Sequence, residues 1–264
     1  MPNPSLPQEI LDSIVDLLHD DSNALKDCCL VSKTWVARTR KHLFAEIMFD
    51  IEQNLISWKK KFPDPSTSPA HYAETLHVCC LHAVTPADAD ASGWIRGFSR
   101  VVNLKLDGYR AYTEDVETFL VPFHGISPTI KSLFVYLAAL PPSQVLNLIL
   151  SFPFLEHLTL AGDNLTISNV DGPDRPSTTI QPSNPPTLTG SLELHPGARI
   201  RPIAHRLLSM PGVIHPRNLT LTVCDEEDHL LVGALLGECS DTLESLNIRY
   251  DVFRMSIRYL HPYQ

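Results

Sequence analysis

The chain has 264 residues, 44% of them hydrophobic and 19% charged, with a formal net charge of −9. This is the composition of a folded globular protein long enough to bury a sizeable core, and no apolar run approaches the roughly 20 residues that a membrane span needs. The acidic balance argues against a nucleic-acid groove, which requires a concentrated Lys/Arg face.

The opening MPNPSLPQEI has neither a basic nor an apolar leader region, so an intracellular location, cytoplasmic and/or nuclear, is expected. The next forty residues are helical in pattern. Pro7 suits a first helical position, and Ile10, Leu11, Ile14, Leu17 and Leu18 recur at helical spacing. Ser22 predicts the N-cap of a second helix carrying Leu25, Cys28, Cys29 and Val31. Ser32 predicts that of a third, carrying Trp35, Val36, Thr39 and Leu43. Each helix has more apolar face than two small neighbours can cover, and helices this short are marginal alone. The surplus must pack on the rest of the chain or on another chain.

The runs LPQEIL (6–11), LKDCCLVSKTW (25–35) and RKHLF (40–44) resemble the F-box pattern. That pattern has Leu-Pro-x-Glu-Ile/Leu, a hydrophobic second helix, Val-Ser-Lys-x-Trp and a closing basic-aromatic helix. The resemblance covers residues 5–50. It implies a small all-α domain that docks on Skp1, the adaptor linking such receptors to a cullin ubiquitin ligase, by laying helices into a partner's groove. By motif position, Leu6, Pro7, Ile10, Ile14, Val31 and Trp35 are the implied Skp1 contacts.

Residues 51–72 are expected as a linker. EIMFD (46–50) predicts a short strand before it, SWKKKF a helix with a basic end, and PDPSTSP a hinge. Beyond it, from 73 to 264, a polar-Leu-x-apolar tetrad recurs. Its first leucines are at 76, 104, 133, 158, 192, 219 and 246, in steps of 28, 29, 25, 34, 27 and 27. A period in the twenties with an L-x-L strand is the signature of leucine-rich repeats. Helical stretches are predicted in the gaps, from 114, 141, 201 and 226. Strand alternating with helix predicts an α/β fold, an open solenoid with parallel strands and right-handed crossover helices. The Asn that usually follows the L-x-L pair and bonds successive turns is mostly absent, so the repeats are divergent. The longest step holds a proline-rich insertion, 169–187, expected as an exposed loop.

With the leucines pointing inward, alternate strand residues line an open, concave face. Phe134 with Tyr136 places two aromatics on one strand of that face, which makes them the expected hot spot for a client protein. Lys105, His157 and Thr159 complete the predicted client-binding set.

The six cysteines, at 28, 29, 79, 80, 224 and 239, show no C-x-x-C spacing and are expected as reduced thiols. His77, Cys79, Cys80 and His82 resemble a metal quartet only in a list, because strand alternation sends the first two and the last two to opposite faces. The acidic DEED run (225–228) is expected to sit at a helix N-terminus. Two glycosylation sequons, at Asn164 and Asn218, are expected to be unused, because the opening does not read as a secretory leader. No nucleophile elbow, phosphate loop, dinucleotide fingerprint or H-E-x-x-H occurs, so neither catalysis nor a cofactor is expected.

The sequence therefore points to a substrate receptor of an SCF-type ligase, partnered by a Skp1-like adaptor with its cullin complex and by a client protein. The alternative is an interaction scaffold whose N-terminal helices cap the solenoid and bind no ligase.

Overall fold

A computed structural model describes residues 7–84, 93–107, 120–126, 128–136, 142–162, 185–195, 200–223 and 226–250. Three helices come first: α1 (Gln8–Leu17), α2 (Ser22–Val31) and α3 (Lys33–Leu43). Pro7 stands immediately before α1 rather than within it. Ser32 caps α3 as expected, accepting the Thr34 N–H. The cap of α2 is Asp21, not Ser22. One carboxylate oxygen accepts both the Asn23 and Ala24 N–H groups, at 3.1 and 2.9 Å, which shifts the helix start by a residue.

Eight strands follow: β1 (Glu46–Phe49), β2 (Thr75–Val78), β3 (Asn103–Asp107), β4 (Ser132–Tyr136), β5 (His157–Ala161), β6 (Ser191–Leu194), β7 (Asn218–Val223) and β8 (Ser245–Tyr250). They form one open, all-parallel sheet in sequence order. The last seven fall on the seven Leu tetrads. β1 adds a strand at the front, so the sheet begins at residue 46, ahead of the segment expected to link it to the helices.

Register follows from the leucine pattern. Ile47, Leu76, Leu104, Leu133, Leu158, Leu192, Leu219 and Leu246 lie side by side across the sheet. A one-residue slip would turn every one of them to the other face. From β1 to β7 alternate residues are buried. On β8 the pattern is lost, and Leu246 is 43% exposed.

The buried face is covered by α4 (Glu52–Lys61), α5 (Pro142–Leu150), α6 (Ile200–Leu208) and α7 (Glu226–Cys239). Leu55, Leu148, Ile203 and Leu235 from these helices join the strand leucines in a single apolar cluster. Among the described residues, 3-10 turns of three to five residues lie between strands at Leu81–Ala83, Trp94–Gly97 and Val121–Gly125. The helix expected from residue 114 falls largely outside the described residues, and its described end is the last of these turns.

A repeated backbone device joins the strands. At every junction except that of β5 with β6, the carbonyl just before one strand accepts two N–H groups from the start of the next. Ala45 O takes Glu74 and Thr75, Glu74 O takes Val102 and Asn103, and Val102 O takes Lys131 and Ser132. Lys131 O takes Glu156 and His157, Gly190 O takes Arg217 and Asn218, and Arg217 O takes Glu244 and Ser245. All twelve lie between 2.8 and 3.1 Å. This main-chain ladder bonds successive turns where the side-chain Asn is missing.

The PDPSTSP stretch, expected as a hinge, is a packed turn. It forms 3-10 turns at Pro65–Thr67 and Pro69–Tyr72, capped by the Asp64 and Ser68 side chains, with Ser68 and Ala70 buried. Gly97 lies so close that a Cβ there would meet the Ala70 Cβ at 3.0 Å. The preceding helix α4 is fixed as firmly. Trp58 packs in an aromatic knot with Phe49, Phe62 and Phe98, ring centroids 4.7–6.0 Å apart.

The acidic run that opens α7 does more than sit at a helix start. Asp228 accepts from Arg201 Nε on α6 at 2.7 Å, tying two neighbouring crossover helices together.

Candidate functional site

Two surfaces are available to partners. The first is on the helices. Val15, Leu25 and Cys28 are buried among α1–α3 but stand apart from the main apolar cluster, which begins at Ile47. A core that small leaves much apolar side chain uncovered. Ile10, Ile14 and Leu17, at i, i+4 and i+7 on one face of α1, are 48%, 38% and 83% exposed. At the end of α2, Leu30 and Val31 are exposed too.

Three of the six expected adaptor contacts, Ile10, Ile14 and Val31, therefore face solvent instead of folding back on the sheet. Pro7 is also exposed, Trp35 is half-buried, and Leu6 lies outside the described residues. Leu17 and Leu30 are exposed as well and are absent from the motif-based set. Leu17's place in the α1 apolar stripe is the signal that finds it.

The geometry of this unit is set by Asp16. Its carboxylate accepts from Arg38 Nε at 2.6 Å, from Arg38 Nη2, and from His42 Nε2 at 2.7 Å. The Arg38 guanidinium first, then His42, hold the Asp16 carboxyl far below the usual carboxylate range, and the same pairing raises Arg38. One residue of α1 is thus clamped to two on α3. On α2, the Cys29 Sγ meets the Thr39 hydroxyl of α3 at 2.8 Å.

The second surface is the open face of the sheet. Register brings the expected client-binding residues together. Lys105, Phe134 and Thr159 are direct neighbours on β3, β4 and β5. Tyr136 lies two residues beyond Phe134, and His157 two before Thr159, so all five share a face. Lys105 is exposed, while Phe134, Tyr136, His157 and Thr159 are half-buried. The aromatic pair is therefore a partly covered platform. Met48, 52% exposed, extends the Lys105 row through His77 to β1. Sequence reasoning missed it because β1 carries Ile where later strands carry Leu, although Ile47 stands 29 residues before Leu76, in step with the period.

His157 also has a structural duty. Its Nδ1 accepts the Ser191 N–H at 3.1 Å and faces the Ser191 hydroxyl at 3.0 Å, while the Glu156 carbonyl accepts Gly190 N–H at 3.0 Å. The imidazole thus takes a place in the inter-strand ladder that elsewhere belongs to a carbonyl.

Of the quartet of His77, Cys79, Cys80 and His82, the first three divide between faces as alternation requires. Cys80 is buried beside the Phe49 carbonyl, and burial pushes its thiol up to about 11. His77 and Cys79 are on the open face, and the His82 side chain lies outside the described residues.

Among the described residues no helix is long and apolar enough to cross a membrane. The fold and its two surfaces define an α/β protein with a helical N-terminal unit and a singly wound parallel sheet. Comparison with protein-family models, with curated proteins and with solved structures finds no match.

Proposed function

We propose that this protein is the client-binding subunit of an SCF-type ubiquitin ligase. In this reading α1–α3 are an F-box that docks on a Skp1-like adaptor, the sheet is a divergent leucine-rich-repeat domain, and its open face holds the client. No chemistry is asked of the chain. It raises the effective concentration of client lysines near a conjugating enzyme held elsewhere in the complex.

The observation that carries the reading is the uncovered stripe of Ile10, Ile14 and Leu17, with Leu30 and Val31, on a helical unit whose own core is three apolar side chains. It matches the surface that the F-box resemblance assigns to the adaptor. The absence of lysine after Lys131 fits the reading as well, because it leaves the far half of the sheet without an acceptor that would compete with a client.

The test is calorimetric titration of purified Skp1 into the wild type and into an Ile10→Glu, Val31→Glu variant. Both side chains are exposed, so the fold is retained, whereas a charge buried at a helix-groove interface weakens binding by about tenfold or more. Tight binding lost in the variant is the expected result. A folded wild type that takes up no Skp1 would overturn the proposal and leave α1–α3 as a cap on an interaction scaffold.

A further inference from the structure

The open face carries a second feature that neither the resemblance nor the repeats account for. His77 and Cys79 are two residues apart at the C-terminal end of β2, and their Nε2 and Sγ atoms are 3.3 Å apart. The Cys79 N–H donates to Phe49 O at 2.8 Å, which carries the β2 backbone one step past its last paired residue. That step places Cys79 beside Asp107, since Val78 is in register with Leu106. The three ligand atoms, an imidazole nitrogen, a thiol sulfur and a carboxylate oxygen, all lie within 4.8 Å of one another.

We infer that His77, Cys79 and Asp107 form a zinc-binding site on the open face, with at least one coordination position left for water or for a donor from a bound partner. The donor set is the mixture of nitrogen, sulfur and oxygen that zinc accepts, and three protein ligands with a fourth position open is a recurrent zinc arrangement. In a tetrahedral zinc site, sulfur and nitrogen ligands sit about 3.5 Å apart. The His77–Cys79 pair is already at that separation, and only the carboxylate has to close in.

Lys105 would oppose a cation, but its Nζ is 3.9 Å from a Glu46 carboxylate oxygen, which offsets its charge from the β1 side. On binding, the thiolate gives its electron pair to the metal and the thiol proton passes to solvent, so affinity rises with pH. The site does not depend on the ligase reading. Sequence inspection overlooked it because Asp107 lies 28 residues from Cys79 and meets it only through strand register.

The experiment is titration of the full chain with zinc against a chromophoric chelator, and with cobalt(II) as a spectroscopic substitute. One equivalent is expected, with a sulfur-to-cobalt charge-transfer band. His77→Gln and Asp107→Asn should each weaken binding by more than the roughly 10-fold to 100-fold seen for outer-shell changes. Cys79→Ser should do the same and abolish the band. Cys29→Ser, on the N-terminal helices, should change nothing. Circular dichroism establishes that each variant is folded, and the half-buried Cys79 tolerates its serine isostere. Binding of far less than one equivalent by the folded wild type would overturn the proposal. So would metal retained at full affinity in both Cys79→Ser and His77→Gln, which would place it on other cysteines.

Discussion

At the scale of single residues, the tightest approach to any described glycine is that of His157 to Gly190. A Cβ on Gly190 would lie 2.3 Å from the His157 Cε1 and 2.5 Å from its Nδ1, so any larger residue must push the ring off the Ser191 N–H. Gly190→Ala should therefore cost about 1–3 kcal/mol in urea denaturation, the range for a half-buried donor left without its acceptor. In a His157→Ala background the same change should cost much less, because the clash has been removed with the ring. That non-additivity distinguishes a specific contact from a general intolerance at residue 190. His157 was legible as an open-face residue from alternation alone. Its bond to Ser191 was not, because the two are 34 residues apart and no local pattern announces the pair.

At the scale of elements, α1 is held by a polar clamp as well as by apolar burial. Asp16 is a carboxylate whose folded-state pKa is depressed by Arg38 and His42. Its contribution to stability is whole at pH values above the ordinary carboxylate range, about 4, and is lost as pH falls toward the depressed value. Asp16→Asn should lower the melting temperature at neutral pH, with the gap to wild type narrowing in strong acid. A gap that stayed constant from pH 7 to pH 3 would show that the clamp is not electrostatic. Sequence reading found all three helices and the third cap, because helical spacing and Ser32 are local signals. It misplaced the second cap by one residue, since Asp21 and Ser22 are both competent and only geometry selects between them. The packing of the PDPSTSP stretch was hidden for a related reason. Proline and serine mark a turn, yet whether the turn is exposed or packed depends on partners such as Gly97 that lie far along the chain.

At the scale of the whole molecule, the sheet is a linear array in which each strand touches only its neighbours in sequence. Stability in such arrays is a sum of units and junctions, so protection should be graded along the sheet. Native-state hydrogen exchange is expected to be slowest in β3–β5, flanked on both sides and buried on alternate residues, and fastest in β8, where that alternation is lost. Uniform protection across all eight strands would contradict this. The parallel order was readable from the leucine period because one repeated unit, once recognised, fixes register and direction together. What the period could not reveal was how turns are joined without the usual asparagine. The main-chain ladder does this, and its bonds are made by atoms that every non-proline residue possesses. A joint of that kind places little demand on side-chain identity, so a unit can be copied, dropped or exchanged while its neighbours stay as they are. Such a chain can alter its recognition surface by rearranging whole segments, with the scaffold left intact.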